Sequence, residues 1–216
     1  MPRHLTAALV LIVALLLAAC ATAVRGSGKV VTESRPVSDI SAVVLDGVGT
    51  LYITQGDQEA LTITADDNLL PLIGAEVRAG TLVLGPKSGT ALNGVTKLTY
   101  QLTVKELRGL EVNGAAEVDA QNLQADQLRV KISGAGDCTA TGRADQLELT
   151  VSGAGSFNGP ELASRVATMN ISGSGDALVQ VSETLDAEIS GAGSVRYIGS
   201  PKVTQHVSGS GSIAPR

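Results

Sequence analysis

Glu117 and Asp137 stand at equivalent points of a recurring turn, and two acids at such spacing raise the question of acid–base chemistry. Carboxyl groups about 5 Å apart have the separation of a retaining glycosidase pair. Asp137 and Asp176 follow the turns Gly134-Ala-Gly136 and Gly173-Ser-Gly175, where acidic oxygens would have to converge to hold calcium. The rest of the chain supplies little to either chemistry. Past residue 20 the one histidine is His206, Trp is absent, and residues 85–97 form the one long polar loop. Asp and Ser also favour turns for their own hydrogen bonding, so a solvated corner accounts for these positions. His206 has no second imidazole or thiolate in range of a zinc pattern. Cys138 occupies an apolar, inward position and reads as a small buried hydrophobe. Gly-x-Gly recurs without the third glycine and following helix of a dinucleotide site. No catalytic residue, metal ligand or cofactor is assigned.

The remaining reactive side chain is Cys20. Residues 1–19 run from a short polar start through an apolar stretch, Leu5–Ala19, too short for a membrane span of roughly 20 residues. Leu17-Ala18-Ala19-Cys20 resembles the lipobox of bacterial lipoprotein signal peptides. The resemblance implies cleavage before Cys20 and thioether attachment of a lipid to it. Each buried methylene contributes about 0.8 kcal/mol, so two or more acyl chains anchor stably. Residues 20–29 then read as the acylated cysteine and a short flexible tether of roughly 15–18 Å, and 30–216 as a single domain. The expected location is the cell envelope: exported, and lipid-anchored to the cell membrane or outer membrane.

Composition narrows the partners. The chain has 16 Lys and Arg against 21 Asp and Glu, a net charge of −5, and loss of Arg3 with the leader makes it −6. An acidic domain without basic clusters is a poor nucleic-acid binder. Tyr52, Tyr100, Tyr197 and Phe157 are its only aromatic side chains, too few for a stacking platform.

From about residue 107 the elements that must position these side chains repeat. Six turns align: Val112-Asn-Gly-Ala-Ala116, Ile132-Ser-Gly-Ala-Gly136, Val151-Ser-Gly-Ala-Gly155, Ile171-Ser-Gly-Ser-Gly175, Ile189-Ser-Gly-Ala-Gly193 and Val207-Ser-Gly-Ser-Gly211. Their first glycines, Gly114, Gly134, Gly153, Gly173, Gly191 and Gly209, are spaced 20, 19, 20, 18 and 18 residues apart. Two residues before each stands Val or Ile. Four after it stand Val118, Cys138, Phe157, Ala177, Val195 and Ile213. Alternation of this kind marks strands with one buried face.

Two assemblies fit: hairpins paired antiparallel, or units stacked as the coils of a solenoid. Outward positions favour stacking. Glu111 would adjoin Lys131, Arg129 would adjoin Glu148 and Glu188 would adjoin His206, whereas like charges facing one another destabilise a sheet. In a stack the glycines are structural corner residues, and Asn113, Ser133, Ser152, Ser172, Ser190 and Ser208 form a polar ladder able to hydrogen-bond between coils.

Residues 30–104 predict strands at Ile40–Leu45, Thr50–Thr54, Ala60–Ala65, Thr81–Leu84 and Leu98–Val104, with a helical turn over 66–73 opened by an Asp cap. Val48-Gly49-Thr50-Leu51-Tyr52-Ile53 with Gln55-Gly56, then Ala65-Asp-Asp-Asn-Leu-Leu70, then the Ser-Gly turns, together resemble the family known as putative auto-transporter adhesin, head GIN domain, over roughly residues 38–213. The resemblance implies an all-β fold, a right-handed parallel β-helix-like solenoid with coils of 18–20 residues preceded by a more irregular β-rich portion. It brings no catalytic or ligand residues. The expected role is non-catalytic binding or adhesion to an envelope or surface ligand, protein or glycan, with contacts along Arg129, Lys131, Glu148, Thr168, Asn170 and Glu188. The alternatives are a structural protein self-associating through its last strand edge, Val207–Ile213, and a polysaccharide-active enzyme.

Overall fold

Alternating apolar positions force extended backbone, because only a pleated strand sends every second side chain to one side. The computed structural model describes residues 22–216, and the leader and Cys20 lie outside the described residues. The chain is all-β. Fifteen strands run β1 (Thr22–Arg25), β2 (Val30–Arg35), β3 (Ala42–Gln55), β4 (Ala60–Asp66), β5 (Ile73–Arg78), β6 (Thr81–Pro86), β7 (Thr90–Asn93), β8 (Leu98–Val104), β9 (Gly109–Gly134), β10 (Asp137–Gly153), β11 (Ser156–Gly173), β12 (Asp176–Gly191), β13 (Ser194–Ile198), β14 (Lys202–Gly209) and β15 (Ser212–Pro215). No described helix is long and apolar enough to cross a membrane.

From β9 onward the pairing is parallel and the turns align in register, with bulges between Thr139 and Gly142 and between Gly159 and Val166. Gly153 on β10 is the partner of Gly134 on β9 and of Gly173 on β11; Gly191 on β12 pairs with Gly173 and with Gly209 on β14. The hairpin scheme is therefore not what these strands do. The inward columns are buried: Val112, Ile132, Val151, Ile171 and Ile189 are at most 1% exposed, as are Val118, Cys138, Phe157 and Val195. They form one continuous hydrophobic cluster with the N-terminal strands.

The stack begins earlier than residue 107. β3 pairs parallel with β9, bringing Leu45 beside Val112, Asp46 beside Asn113 and Gly47 beside Gly114. Leu45-Asp46-Gly47-Val48-Gly49 is thus the first turn of the series, and residues 56–108 are an excursion inserted before the second. That excursion covers the other edge of β3: β6 and β8 pair with it in parallel, β8 then pairs antiparallel with β4, β4 with β2, and β6 with β5.

Three readings of the first half change. The loop 85–97 contains the end of β6 and all of β7. The turn after β4 is a single 3-10 turn, Leu70–Leu72, with no side-chain cap; the Asp66 carboxylate is engaged elsewhere. The segment 20–29 is not a free tether over its described part, because β1 pairs in parallel with β7, Arg25 beside Asn93.

Candidate functional site

The corner column explains why this sequence turns where it does. Gly114, Gly134, Gly153, Gly173, Gly191 and Gly209 have φ between +120° and +140°, a region that L side chains rarely adopt. Space is a second constraint: a Cβ on Gly153 would overlap the carbonyl oxygen of Gly134. The corners approach this closely because they are hydrogen-bonded main chain to main chain. Ala135 N donates to Gly114 O at 2.9 Å, Ala154 N to Gly134 O at 2.8 Å and Ser174 N to Gly153 O at 2.8 Å. Among the described residues the corners are joined by this backbone ladder and not by the expected serine side chains, and the side-chain bond in that column is Asn113 Nδ2 to Asp46 Oδ1 at 2.9 Å. The second glycines Gly136, Gly155, Gly175 and Gly193 are buried and leave room for a neighbouring β-branched side chain, as Gly155 does for Ile132.

Before the corner, outward side chains pair between units. Lys131 Nζ lies 2.7 Å from Glu111 Oε1, and Arg129 Nε lies 2.8 Å from Glu148 Oε2. His206 is exposed and in register with Glu188. Thr168 and Asn170 continue this face without charge.

After the corner, the acids serve the next unit. Glu117 and Asp137 are register partners, but Asp137 accepts a hydrogen bond from the Ser156 hydroxyl. Asp176 Oδ1 accepts from Ser194 N at 3.0 Å and from the Ser194 hydroxyl. Among the described residues no group of three or more acids, histidines or cysteines is arranged around a metal position. Cys138 is buried, and burial pushes its thiol up to about 12. Beside the acids runs a second outward file, each residue in register with the next: Tyr52, Asp119, Thr139, Asn158, Leu178 and Arg196. Tyr52 is 45% exposed. Strands in a ladder lie about 4.8 Å apart, so Tyr52 and Arg196 stand roughly 24 Å apart along the file.

The described depressions are open to solvent; the one between Arg143, Arg165 and Gly199 holds about 270 Å³, and the one along Thr139, Asn158, Leu178 and Arg196 about 580 Å³.

At the other end, Asp66 is fully buried and accepts from Gly28 N at 2.7 Å and Thr96 N at 2.9 Å. Burial pushes its carboxyl up, but the bonds from Thr96 and Gly28 outweigh this and hold it below the ordinary value. Asp67 accepts from the Ser27 hydroxyl at 2.6 Å and pairs with Lys29. Asn68 accepts from Ser27 N at 3.0 Å and donates to Arg25 O at 2.8 Å. Three consecutive residues thus clasp 25–29 to the end of β4.

Residues 39–201 match the family described as putative auto-transporter adhesin, head GIN domain. The chain belongs to this family. Among solved structures, a putative adhesin from Bacteroides fragilis is 26% identical, with a TM-score of 0.72 over 89% of this chain and 100% of its own. A putative lipid binding protein and a putative adhesin, both from Parabacteroides distasonis, are 24% and 23% identical; each has a TM-score of 0.61, over 90% and 89% of this chain and 100% and 99% of theirs. The last two share the fold. No match is found among curated proteins.

The head GIN motif residues have structural duties here. Gly49 abuts Leu98, so a Cβ there would crowd the returning strand. Gln55 donates to Lys105 O at 2.9 Å and accepts from Gln124 N at 2.8 Å, closing the excursion where it leaves and rejoins the stack. Sequence reading missed the Asp66-Asp67-Asn68 clasp, the Gly47 turn and the Tyr52–Arg196 file. Only Gly47 had a usable signal, the pattern apolar-small-Gly-x-Gly.

Proposed function

We propose that this head GIN protein is a lipid-anchored, non-catalytic, adhesion-like binding module of a bacterial envelope, wound as a right-handed β-solenoid, whose contact face is the file from Tyr52 to Arg196. The observation that carries the reading is the composition of that file. Tyr and Arg are the residue types that dominate interface energy, and here they lie exposed on one straight file with Asn158 and Leu178 between them. The face before the corner is the weaker candidate, since Arg129 and Lys131 are already neutralised by Glu148 and Glu111. Open relief favours many modest contacts over one pocket. Of the two acids that would serve an enzyme, Asp137 is bound to Ser156 of the next unit.

Anchoring through Cys20 is supported by the lipobox and by the clasp. β1 starts at Thr22, two residues after Cys20, a separation of at most about 7 Å. The strands around β1 would therefore rest on the lipid surface with the file standing away from it.

The test is a glycan and protein array probed with the mature chain carrying Cys20→Ser, alongside the same chain with Tyr52→Ser and Arg196→Ala. A ligand retained by the first and released at least tenfold faster by the second supports the reading. A ligand held equally by both, or none at all, sinks it. In the producing cell, Cys20→Ser should move the protein from the membrane to the soluble fraction.

A further inference from the structure

The two ends of the ladder differ. At the β3 end the outer edge is covered by β6 and β8. At the other end, among the described residues, β14 pairs with β12 alone and β15 with β13 alone. The inward columns surface there. Val203, Gln205 and Val207 are in register with Leu185, Ala187 and Ile189, which are at most 1% exposed. Val207 is itself 39% exposed, and Gln205 is exposed too. An edge with free main-chain donors and acceptors beside an apolar face is a template for another strand.

Gln205 is the anomaly. Its column otherwise holds Leu110, Val130, Leu149, Met169 and Ala187, all buried. A lone amide in an apolar column needs a partner once another strand covers it. One arrangement supplies that partner and also preserves the inward and outward alternation. It is antiparallel pairing of β14 with β14 of a second copy, about a two-fold axis at Gln205.

In that register Gln205 faces Gln205 of the second copy, and a primary amide both donates and accepts, so the two satisfy each other. Val203 faces the second copy's Val207, closing an apolar patch on either side. Outside, Thr204 faces His206 and Lys202 faces Ser208, so no like charges oppose. β15 is the poorer edge, since Pro215 has no N–H. Head-to-tail stacking is barred by the covered β3 edge, so association closes at two rather than growing into a fibre.

We infer that β14 is a homodimerisation edge, joining two copies head to head through a two-fold axis at Gln205. The dimer needs no foreign ligand and stands apart from the binding file. If the anchor reading holds as well, the two β1 ends point away from each other, and the pair spans between two lipid surfaces. With contact confined to one strand edge and its neighbours, the association is reversible and concentration-dependent.

The experiment uses the mature chain with Cys20→Ser, followed by sedimentation equilibrium from about 1 µM to 1 mM, and cysteine cross-linking under mild oxidation. Facing residues of an antiparallel pair lie about 4.5–5.5 Å apart at Cα, within disulfide reach. Gln205→Cys should therefore give a disulfide-linked dimer. Val203→Cys should not, because its own copy sits four positions along the partner strand, about 13 Å away. Gln205→Glu, which sets two carboxylates face to face, should weaken the dimer at least tenfold at pH 7. A chain that stays monomeric to 1 mM overturns the inference. So do a Val203→Cys cross-link without a Gln205→Cys one, and growth beyond two copies.

Discussion

The main-chain amide of Gly28 donates to Oδ1 of Asp66 at 2.7 Å. This bond joins the start of the described chain to the end of β4, and Asp66 Oδ2 completes the clasp by accepting from Thr96 N. The carboxylate is buried, so losing it strands two amide donors without a partner. Arg25 and Lys29 flank the clasped segment and are trypsin sites. Asp66→Ala should speed cleavage after both by at least tenfold while the ladder core stays resistant. Equal cleavage rates would show that the clasp does not hold the segment.

The same residue sets a pH dependence. Its folded value lies below the ordinary 3.8, so folding favours the ionised form. The stabilisation is complete above the ordinary value and is lost as pH falls through the lower, folded one. The melting-temperature gap between the natural chain and Asp66→Ala should thus be constant from pH 7 to 5 and shrink below about pH 4. A gap that widens on acidification would contradict the assignment.

Gly153 and Gly89 separate two costs of replacing a glycine. Gly89 has φ +78° with nothing within 4 Å of a Cβ position, so Gly89→Ala should cost about 1 kcal/mol, from backbone strain alone. Gly153→Ala adds overlap with the Gly134 carbonyl oxygen to a φ of +127°, and should cost about 3 kcal/mol or more. Thr150→Val, on the outward face, should stay within about 0.5 kcal/mol. Urea melts order the three, and similar costs for Gly153→Ala and Gly89→Ala would remove the close-packed corner.

Charge reversal tests the register between units. Lys131→Glu places a second carboxylate beside Glu111 and should cost about 1 kcal/mol at low salt. Adding Glu111→Lys should recover most of that, because the pair is restored with its sign exchanged. The recovery should fade at 1 M salt, as the pair is half exposed and screened. No recovery at low salt would mean that the two residues are not neighbours in solution.

Cys138 provides a probe of the interior. Held near 12 by burial, its thiol is un-ionised at pH 8 and inaccessible to reagents. Iodoacetamide should leave the folded, Cys20→Ser chain unmodified for hours and label it fully in denaturant. Rapid labelling of the folded chain would place this column outside the core.

The alternation of buried and exposed positions from residue 107 onward was legible in the sequence, as were the corner glycines and the pairs Glu111–Lys131 and Arg129–Glu148. These features repeat at short range: a strand reverses its face every residue, and a unit that must fit its neighbour constrains the same positions every 18–20 residues. The family was legible for the same reason, through turns that recur almost unchanged.

Tertiary structure alone decided where the series begins. Gly47 belongs to the corner column, but 67 residues separate it from Gly114, and the inserted excursion erases the period that would have revealed it. Nor could the sequence assign Asp66. Its partners are main-chain amides of Gly28 and Thr96, groups that every residue but proline carries and that therefore leave no mark on residue identity. The serine column is not what joins the corners: main-chain donors reach the glycine carbonyls beside it, at distances that only the absence of Cβ allows. Periodic burial is written in side chains, whereas closure of the ends is made by backbone and by contacts far apart along the chain.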